Sequence, residues 1–198
     1  MVSGTERAKR AGRRRVAHKE PRRVIRVHAE GEVTEPEYLK LMKGREVRID
    51  FGPSGFDPGS LVRHARNDHK GRSAAGDFDE VWCVFDRDQH PHIENAIDEA
   101  RAVGVEVAVS NPCVEVWLIL HVEDRTAYID RKEAQNRCTE LGLTDGKSIR
   151  DTGATRLRDG YDEAKGRAQA LRYSHLQHGD PSWANPSSGL WRLVDRLR

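Results

Sequence analysis

Short apolar runs alternate with segments of helical spacing over the first half of the chain. Four runs have the length and β-branched composition of strands, and they cover residues 24–28, 47–51, 81–85 and 105–109. The segments between them carry helix-opening signals or helically spaced apolar residues, and they predict helices that begin near residues 36, 58 and 93. This order predicts an α/β fold with a mostly parallel central sheet and helices on both faces.

The second half of the chain is mainly helical in pattern. The run 114–121 fits a helix or a strand by periodicity, and Pro112 at a first turn favours the helix. Residues 124–178 are charged and rich in Ala, Leu and Arg, which predicts two or three helices, and a last short helix follows Gly189. We therefore predict one domain over residues 21–198, in which residues 124–184 form a mainly helical insertion or lobe.

Positive charge is concentrated at the N-terminus. Residues 1–26 contain ten Lys or Arg and two Glu, so this segment has a net charge of about +8. Because the whole chain has a net charge of +2, the remaining residues are together acidic. Residues 1–20 also lack apolar periodicity, which predicts a disordered basic arm. Such an arm could bind nucleic-acid phosphates or be an inert tail. The candidate nucleic-acid-binding residues are Arg13, Arg14, Arg15, Arg22 and Arg23.

Cysteine content and hydropathy indicate a cytoplasmic protein. Cys83, Cys113 and Cys138 are widely spaced, odd in number and form no Cys-x-x-Cys pair, which argues against a disulfide framework. The apolar runs are far shorter than the roughly 20 residues that span a bilayer, and the basic N-terminus has no apolar segment behind it. We expect no membrane role.

Carboxylates follow two predicted strands where each strand ends. Glu30 comes after the run 24–28, and Asp86 and Asp88 come after the run 81–85. Ligands of parallel sheets gather outside the carboxyl ends of the strands, so we expect these side chains at one rim. Mg²⁺ prefers oxygen ligands and needs few carboxylates when phosphate supplies the rest. The alternative for an isolated Asp-x-Asp is a solvated turn or a helix cap.

Several stretches together resemble the RloB-like family, whose members have a Toprim-like fold. The stretches are residues 30–38, 84–90 and 110–118, with 185–188 and 191–194 near the C-terminus. The resemblance implies that Glu30, Asp86 and Asp88 are the metal-binding and catalytic residues. It further implies Mg²⁺ or Mn²⁺ as cofactor, cleavage of phosphodiester bonds, and a role in bacterial defence against phage or foreign DNA.

The resemblance also implies a separate ATPase partner. The sequence contains no GxxxxGK[ST] motif, so ATP dependence would have to come from another chain.

Four further residues are weaker candidates for the same site. Glu35 could hold a second metal, or it could favour the dipole of the helix that follows. Glu115 interrupts an apolar run, where a charge is costly unless it is paired or metal-bound, and we include it among the catalytic candidates. His90 and Asn111 are accessory candidates. Their alternatives are an ordinary loop histidine and a helix-capping asparagine.

These observations lead us to expect a metal-dependent nuclease that acts on DNA or RNA. The alternative is a catalytically silent Toprim-like module that binds nucleic acid or a partner ATPase. The patterns do not distinguish DNA from RNA and do not fix the oligomeric state.

Deleting residues 1–20 is expected to weaken nucleic-acid binding without regard to sequence, because Lys and Arg side chains that bind phosphates read no base information. The slope of log affinity against log salt concentration should become shallower by about 0.9 for each phosphate of duplex DNA that the arm neutralises in the full chain. Fluorescence anisotropy at several salt concentrations measures this slope for the full and shortened chains. An unchanged slope would assign the arm no role in binding.

Overall fold

The computed structural model describes residues 22–75, 78–87, 90 and 93–198, without the side chains of residues 70–75. The strands are β1 Arg23–Ala29, β2 Val47–Phe51, β3 Glu80–Asp86, β4 Glu106–Asn111, β5 Thr144–Asp145, β6 Ser148–Ile149 and β7 Ser187–Ser188. The helices are α1 Thr34–Met42, α2 Pro58–Ala75, α3 Ile93–Ala102, α4 Val114–Leu120, α5 Arg131–Glu140, α6 Asp151–Asp159, α7 Tyr161–Gln177 and α8 Leu190–Leu197.

The central sheet has the strand order β2-β1-β3-β4-β7. The first four strands are parallel, and β7 pairs antiparallel with the end of β4. The prediction of an α/β fold with a mostly parallel sheet, helices on both faces and a C-terminal helical region is confirmed. The chain moves outward from β1 to β2 and then returns to place β3 on the other side of β1. The strand order therefore reverses between β1 and β3.

Strand β3 divides its side chains between two hydrophobic cores. Trp82 and Val84 face the core that includes α1, α4 and α8, whereas Cys83 and Phe85 face the core beneath α2 and α3. A strand covered on both faces needs a continuous apolar run rather than alternation, and 81–85 is such a run. The helices on the two faces thus fix β3 and hold its last residue, Asp86, at the edge of the sheet.

Helix α4 is buried along its whole length, because all seven of its residues are buried. Such a helix must be covered on every side, and here the sheet lies on one side while α5 and α7 pack on the other. The buried residues of α5 to α7 belong to the same hydrophobic core as those of α1 and α4. Residues 124–184 therefore pack directly against the sheet domain.

Local signals mark some helix ends, and some boundaries differ from the prediction. The Asp57 carboxylate accepts a hydrogen bond from Ser60 N and caps α2, and Gly104 has the positive φ of 74° expected after α3. Helix α1 begins at Thr34, two residues before the predicted start at Pro36. The hairpin of β5 and β6 and the two-residue strand β7 were not predicted, because such short strands have no measurable periodicity.

The β5–β6 hairpin is tied to α1 by two hydrogen bonds. Thr34 Oγ1 donates to Lys147 O at 2.6 Å, and Ile149 N donates to the Glu37 carboxylate at 2.7 Å. In the described part of the chain, no helix combines the length and hydropathy that crossing a bilayer requires.

A buried polar chain joins α1 to α4. The hydroxyl of Tyr38 lies 3.0 Å from His121 Nε2, and His121 Nδ1 lies 2.9 Å from Trp117 O. Nδ1 must carry a proton to donate to a carbonyl, and in a neutral ring Nε2 then accepts a hydrogen bond from the tyrosine hydroxyl. Burial lowers the pKa of His121 to about 4, well below its usual 6.5.

The neutral state of His121 predicts a loss of stability in mild acid. Between pH 6.5 and 4 the unfolded histidine binds a proton that the folded one does not, so the free energy of unfolding falls as pH falls. The resulting loss in the free energy of unfolding is about 2 kcal/mol at pH 5 relative to neutral pH. Urea unfolding of wild type and His121→Gln at pH 7 and pH 5 should show the difference in stability between the two proteins shifting by that amount. A difference independent of pH would contradict the assignment.

Candidate functional site

Glu30 and Asp86 lie side by side at the carboxyl ends of β1 and β3. Glu30 N donates to Val84 O at 2.9 Å, which continues the pairing of the two strands past Ala29. The strand order reverses between these two strands, and such a reversal opens a crevice where α/β proteins bind ligands. The topology thus brings the first two predicted carboxylates to the place that the fold offers for a ligand.

The Glu30 carboxylate is held by two groups. Its Oε2 accepts a hydrogen bond from Asp86 N at 3.2 Å, and its Oε1 lies 3.2 Å from His90 Nε2. His90 therefore lies in the same cluster, as the sequence suggested, and it contacts Glu30 directly. The backbone of one predicted site residue positions the side chain of another.

Glu35 reaches the cluster from the first turn of α1. It is buried, and its Oε1 accepts a hydrogen bond from Gly31 N at 3.1 Å. A Cβ at residue 31 would lie 1.9 Å from Glu35 Oε2, so only glycine leaves room for this carboxylate. The absence of a side chain at Gly31 therefore allows the Glu35 carboxylate to lie over the backbone next to Glu30.

Glu115 enters the cluster from the first turn of α4 and is also buried. It is close enough to Asp86 and Glu35 for its negative charge to raise the pKa of both. Burial, followed by the negative charges of Glu115 and Asp86 and a hydrogen bond to Glu115, raises the pKa of the neighbouring Cys113 thiol. Four of the predicted acidic residues therefore converge from β1, α1, β3 and α4.

The cluster is electrostatically strained in the absence of a cation. Asp86 is only 5% exposed, and its burial, together with repulsion from Glu35, raises the pKa of its carboxyl well above the usual value. Burial also raises the pKa of Glu35, with further contributions from Glu115 and Glu30. Carboxylates held together in this way favour any arrangement that adds positive charge.

Arg131 supplies positive charge to the cluster and was missed by the sequence analysis. Its Nη2 lies 2.6 Å from Asp86 Oδ2, and it opposes the rise in the pKa of Asp86. Arg131 is the first residue of α5, which Asp130 caps by accepting from Glu133 N at 2.8 Å. An aspartate at position 130 is a signal from which the start of this helix could have been predicted. Nothing in the local sequence indicated that its first residue faces a strand end 45 residues earlier.

Asn111 is the last residue of β4 and does not cap a helix. Helix α4 follows a cis Asn111-Pro112 peptide bond and has Cys113 at its N-cap position, without a side-chain cap. The Asn111 amide instead donates to Trp183 O at 2.8 Å. The capping interpretation was wrong, because the turn through the proline directs the side chain toward the segment before β7.

Some predicted residues lie elsewhere or outside the described residues. Asp88 and the arm residues Arg13, Arg14 and Arg15 fall outside them. Arg22 and Arg23 lie at the start of β1, at the opposite end of that strand from Glu30, and Arg23 forms an ion pair with Glu80. The structure therefore does not bring these two arginines to the acidic cluster.

The donor chemistry of the cluster suits Mg²⁺ or Mn²⁺, which prefer carboxylate oxygens. Within the residues described here, no three acidic, histidine or cysteine side chains are arranged to hold one ion. Arg131 occupies one oxygen of Asp86 instead. Glu30, Glu35, Asp86 and Glu115 are the described acidic residues of this cluster, and they would have to rearrange to hold a divalent cation.

Comparison with known proteins yields one family. The model of the RloB-like protein family matches residues 25–197, which is nearly the whole chain. No curated protein matches, and no solved structure matches. The match includes every described member of the acidic cluster as well as Arg131.

Gly31→Ala is expected to destabilise the protein through Glu35. The new methyl group must displace the buried carboxylate from Gly31 N, and losing a hydrogen bond to a charged group costs about 1.5–3 kcal/mol. In a Glu35→Ala background the same substitution should cost almost nothing, because the conflict is gone. Urea unfolding of the four proteins in this double-mutant cycle measures the coupling.

Gly166→Ala is the matched control, because a Cβ at this position in α7 meets no neighbour. Its effect should be the same with Glu35 or Ala at position 35. Purely additive effects of Gly31→Ala and Glu35→Ala would show that the carboxylate does not lie over Gly31.

Proposed function

We propose, from the premise that the chain belongs to the RloB-like family, that it is a metal-dependent nuclease. It would cleave phosphodiester bonds of DNA or RNA in cytoplasmic bacterial defence, as the effector of an ATPase-linked system. The observation that carries the proposal is the convergence of three acidic side chains on buried Asp86, at the sheet edge where α/β folds bind ligands.

Electrostatics supports a cation at this position. A buried carboxylate surrounded by three others is unfavourable until positive charge is added, and a divalent ion adds more than one arginine can. Glu30, Glu35, Asp86 and Glu115 would hold the ion, together with Asp88 from the segment outside the described residues. When bound, Mg²⁺ or Mn²⁺ supplies Lewis-acid stabilisation of the charge that develops on the phosphate.

Two side chains would supply the phosphate binding and the proton transfer that the carboxylates do not provide. Arg131 presents a guanidinium beside Asp86, and guanidinium groups match the geometry of phosphate oxygens. His90, beside Glu30, is placed to accept or donate a proton at its Nε2. In the proposed enzyme Arg131 orients the phosphate and His90 assists proton transfer, while Glu30 keeps His90 in place.

A specific observation favours a second candidate, which is a catalytically silent module that binds nucleic acid or a partner ATPase. Asp86 is already paired with Arg131, and a permanently paired Asp86 would have less need of a metal ion. The two candidates differ in their response to Mg²⁺ and Mn²⁺, so one set of variants separates them.

Asp86→Asn and, separately, Glu30→Gln should reduce metal-dependent cleavage to a small fraction of the wild-type rate while preserving or raising stability without metal. Each variant removes one charge from a repelling cluster. In wild type, Mg²⁺ at about 100 times its Kd should add about 2.7 kcal/mol of stability, or roughly 5–10 °C in Tm. Both variants should lose most of that increase. Thermal unfolding and cleavage of plasmid, linear DNA and tRNA measure the two effects.

Glu32→Gln and Asp98→Asn are the matched controls, because both side chains are exposed and neither belongs to the cluster. They should keep the Mg²⁺ response and the cleavage activity. Wild-type protein that neither gains stability with Mg²⁺ or Mn²⁺ nor cleaves any of the substrates would make the silent module the better account.

A further inference from the structure

A cavity of about 430 Å³ lies beside the acidic cluster, and its size is within the range of small-ligand pockets. Two arginines connect the cavity to the cluster. Arg131 donates a hydrogen bond to the Asp86 carboxylate, and Arg87 directly follows Asp86 in the sequence. Its polar and aromatic lining includes Arg87, Asn111, Tyr128, Arg131, Trp183 and Asn185. Asp130 adds one carboxylate, which accepts a hydrogen bond from Glu133 N at the start of α5.

Aromatic rings form the apolar part of the cavity. Tyr128 lines it and is 73% exposed, so one face of a large ring is open to a ligand. Trp183 lies deeper, and the Arg87 guanidinium lies over its ring at 5.0 Å. A single exposed tyrosine is common on protein surfaces. Here the ring stands beside two guanidinium groups and a candidate phosphate-cleaving site.

Two asparagine amides bind the backbone beside these rings. Asn185 Oδ1 accepts from Ile129 N at 3.0 Å and its Nδ2 donates to Ile129 O at 2.8 Å, which fixes the backbone next to Tyr128. Asn111 Nδ2 donates to Trp183 O, which fixes the segment of the tryptophan. Asn185 also donates to Asn111 Oδ1 at 3.4 Å. Hydrogen bonds within the protein therefore fix the backbone on two sides of the cavity.

We propose that this cavity binds one unpaired nucleotide of single-stranded nucleic acid, next to the phosphate that the acidic cluster would cleave. The base stacks on Tyr128, and the backbone phosphate lies against Arg131 and Arg87. The inference rests on the proposed function for the position of the scissile phosphate. Stacking on an aromatic ring combined with contacts from cations to the backbone is the general way in which proteins bind single strands.

The hydrogen bonds of the two asparagine amides also predict that the cavity does not distinguish one base from another. Asn185 uses both N–H groups of its amide on the protein and Asn111 uses one of its two, so the two amides have little left with which to recognise the edge of a base. Stacking accepts every base because each has a π face. The cavity thus selects for a base that is free to leave its stack, and it discriminates single strand from duplex rather than one sequence from another.

The test is binding of short fluorescent single strands and matched duplexes, as DNA and as RNA, with phosphorothioate linkages that slow cleavage. Anisotropy is measured with and without Mg²⁺. Wild type should prefer single strands, Tyr128→Ala should weaken that binding about tenfold, and Tyr128→Phe should keep it, because the ring remains. Duplex binding should change little. The DNA and RNA arms identify which strand contacts the cavity better.

Tyr173→Ala is the control, because Tyr173 is an exposed tyrosine on α7 that does not line the cavity. Equal effects of the two alanine variants, or wild-type protein that binds single strands no better than duplex, would overturn the proposal. If Tyr128→Ala weakens single-strand binding but the wild-type protein cleaves no substrate, the binding proposal stands and the proposed nuclease function is wrong. If the wild-type protein cleaves nucleic acid and Tyr128→Ala binds single strands as well as wild type does, the nuclease function stands and the binding proposal is wrong.

Discussion

Holding a buried negative charge among other negative charges is the constraint on which this structure depends. Asp86 is removed from water and repelled by Glu30, Glu35 and Glu115. A charge in that position is costly unless hydrogen bonds or opposite charge compensate it. The compensation comes from backbone N–H groups, which bind Glu30 and Glu35, and from the guanidinium of Arg131. In the proposed function, the remaining excess of negative charge would give the site its affinity for a cation.

The fold brings these groups together through the order of its strands. Because β1 and β3 are neighbours with helices leaving in opposite directions, the ends of the two strands are left uncovered by either crossover. Helix α4 then contributes Glu115 from a position that is buried on all sides, between the sheet and the helices α5 and α7. Each acidic side chain is thus fixed by a separate element, and the hydrophobic cores hold those elements in register.

The sequence predicted those parts of the site that follow from a single element. The run 81–85 is continuous and apolar because it is buried on both faces, so the position of Asp86 at a strand end could be inferred directly. Glu30 was located in the same way. Contacts that depend on how distant elements pack could not be predicted. Arg131 lies in a charged segment where many arginines look alike, and only its position at the start of α5 directs it to Asp86.

The ion pair between Arg131 and Asp86 couples the helical lobe to the acidic cluster. In the proposed function, a divalent cation would compete with the guanidinium for the same oxygen of Asp86, so binding of the ion and attachment of α5 to the strand end would oppose each other. By thermodynamic reciprocity, whatever draws Arg131 away from Asp86, including a phosphate, makes the site a better receptor for the ion. Substrate and metal would then bind cooperatively, and the free site would bind the ion more weakly than the site that already holds a polyanion.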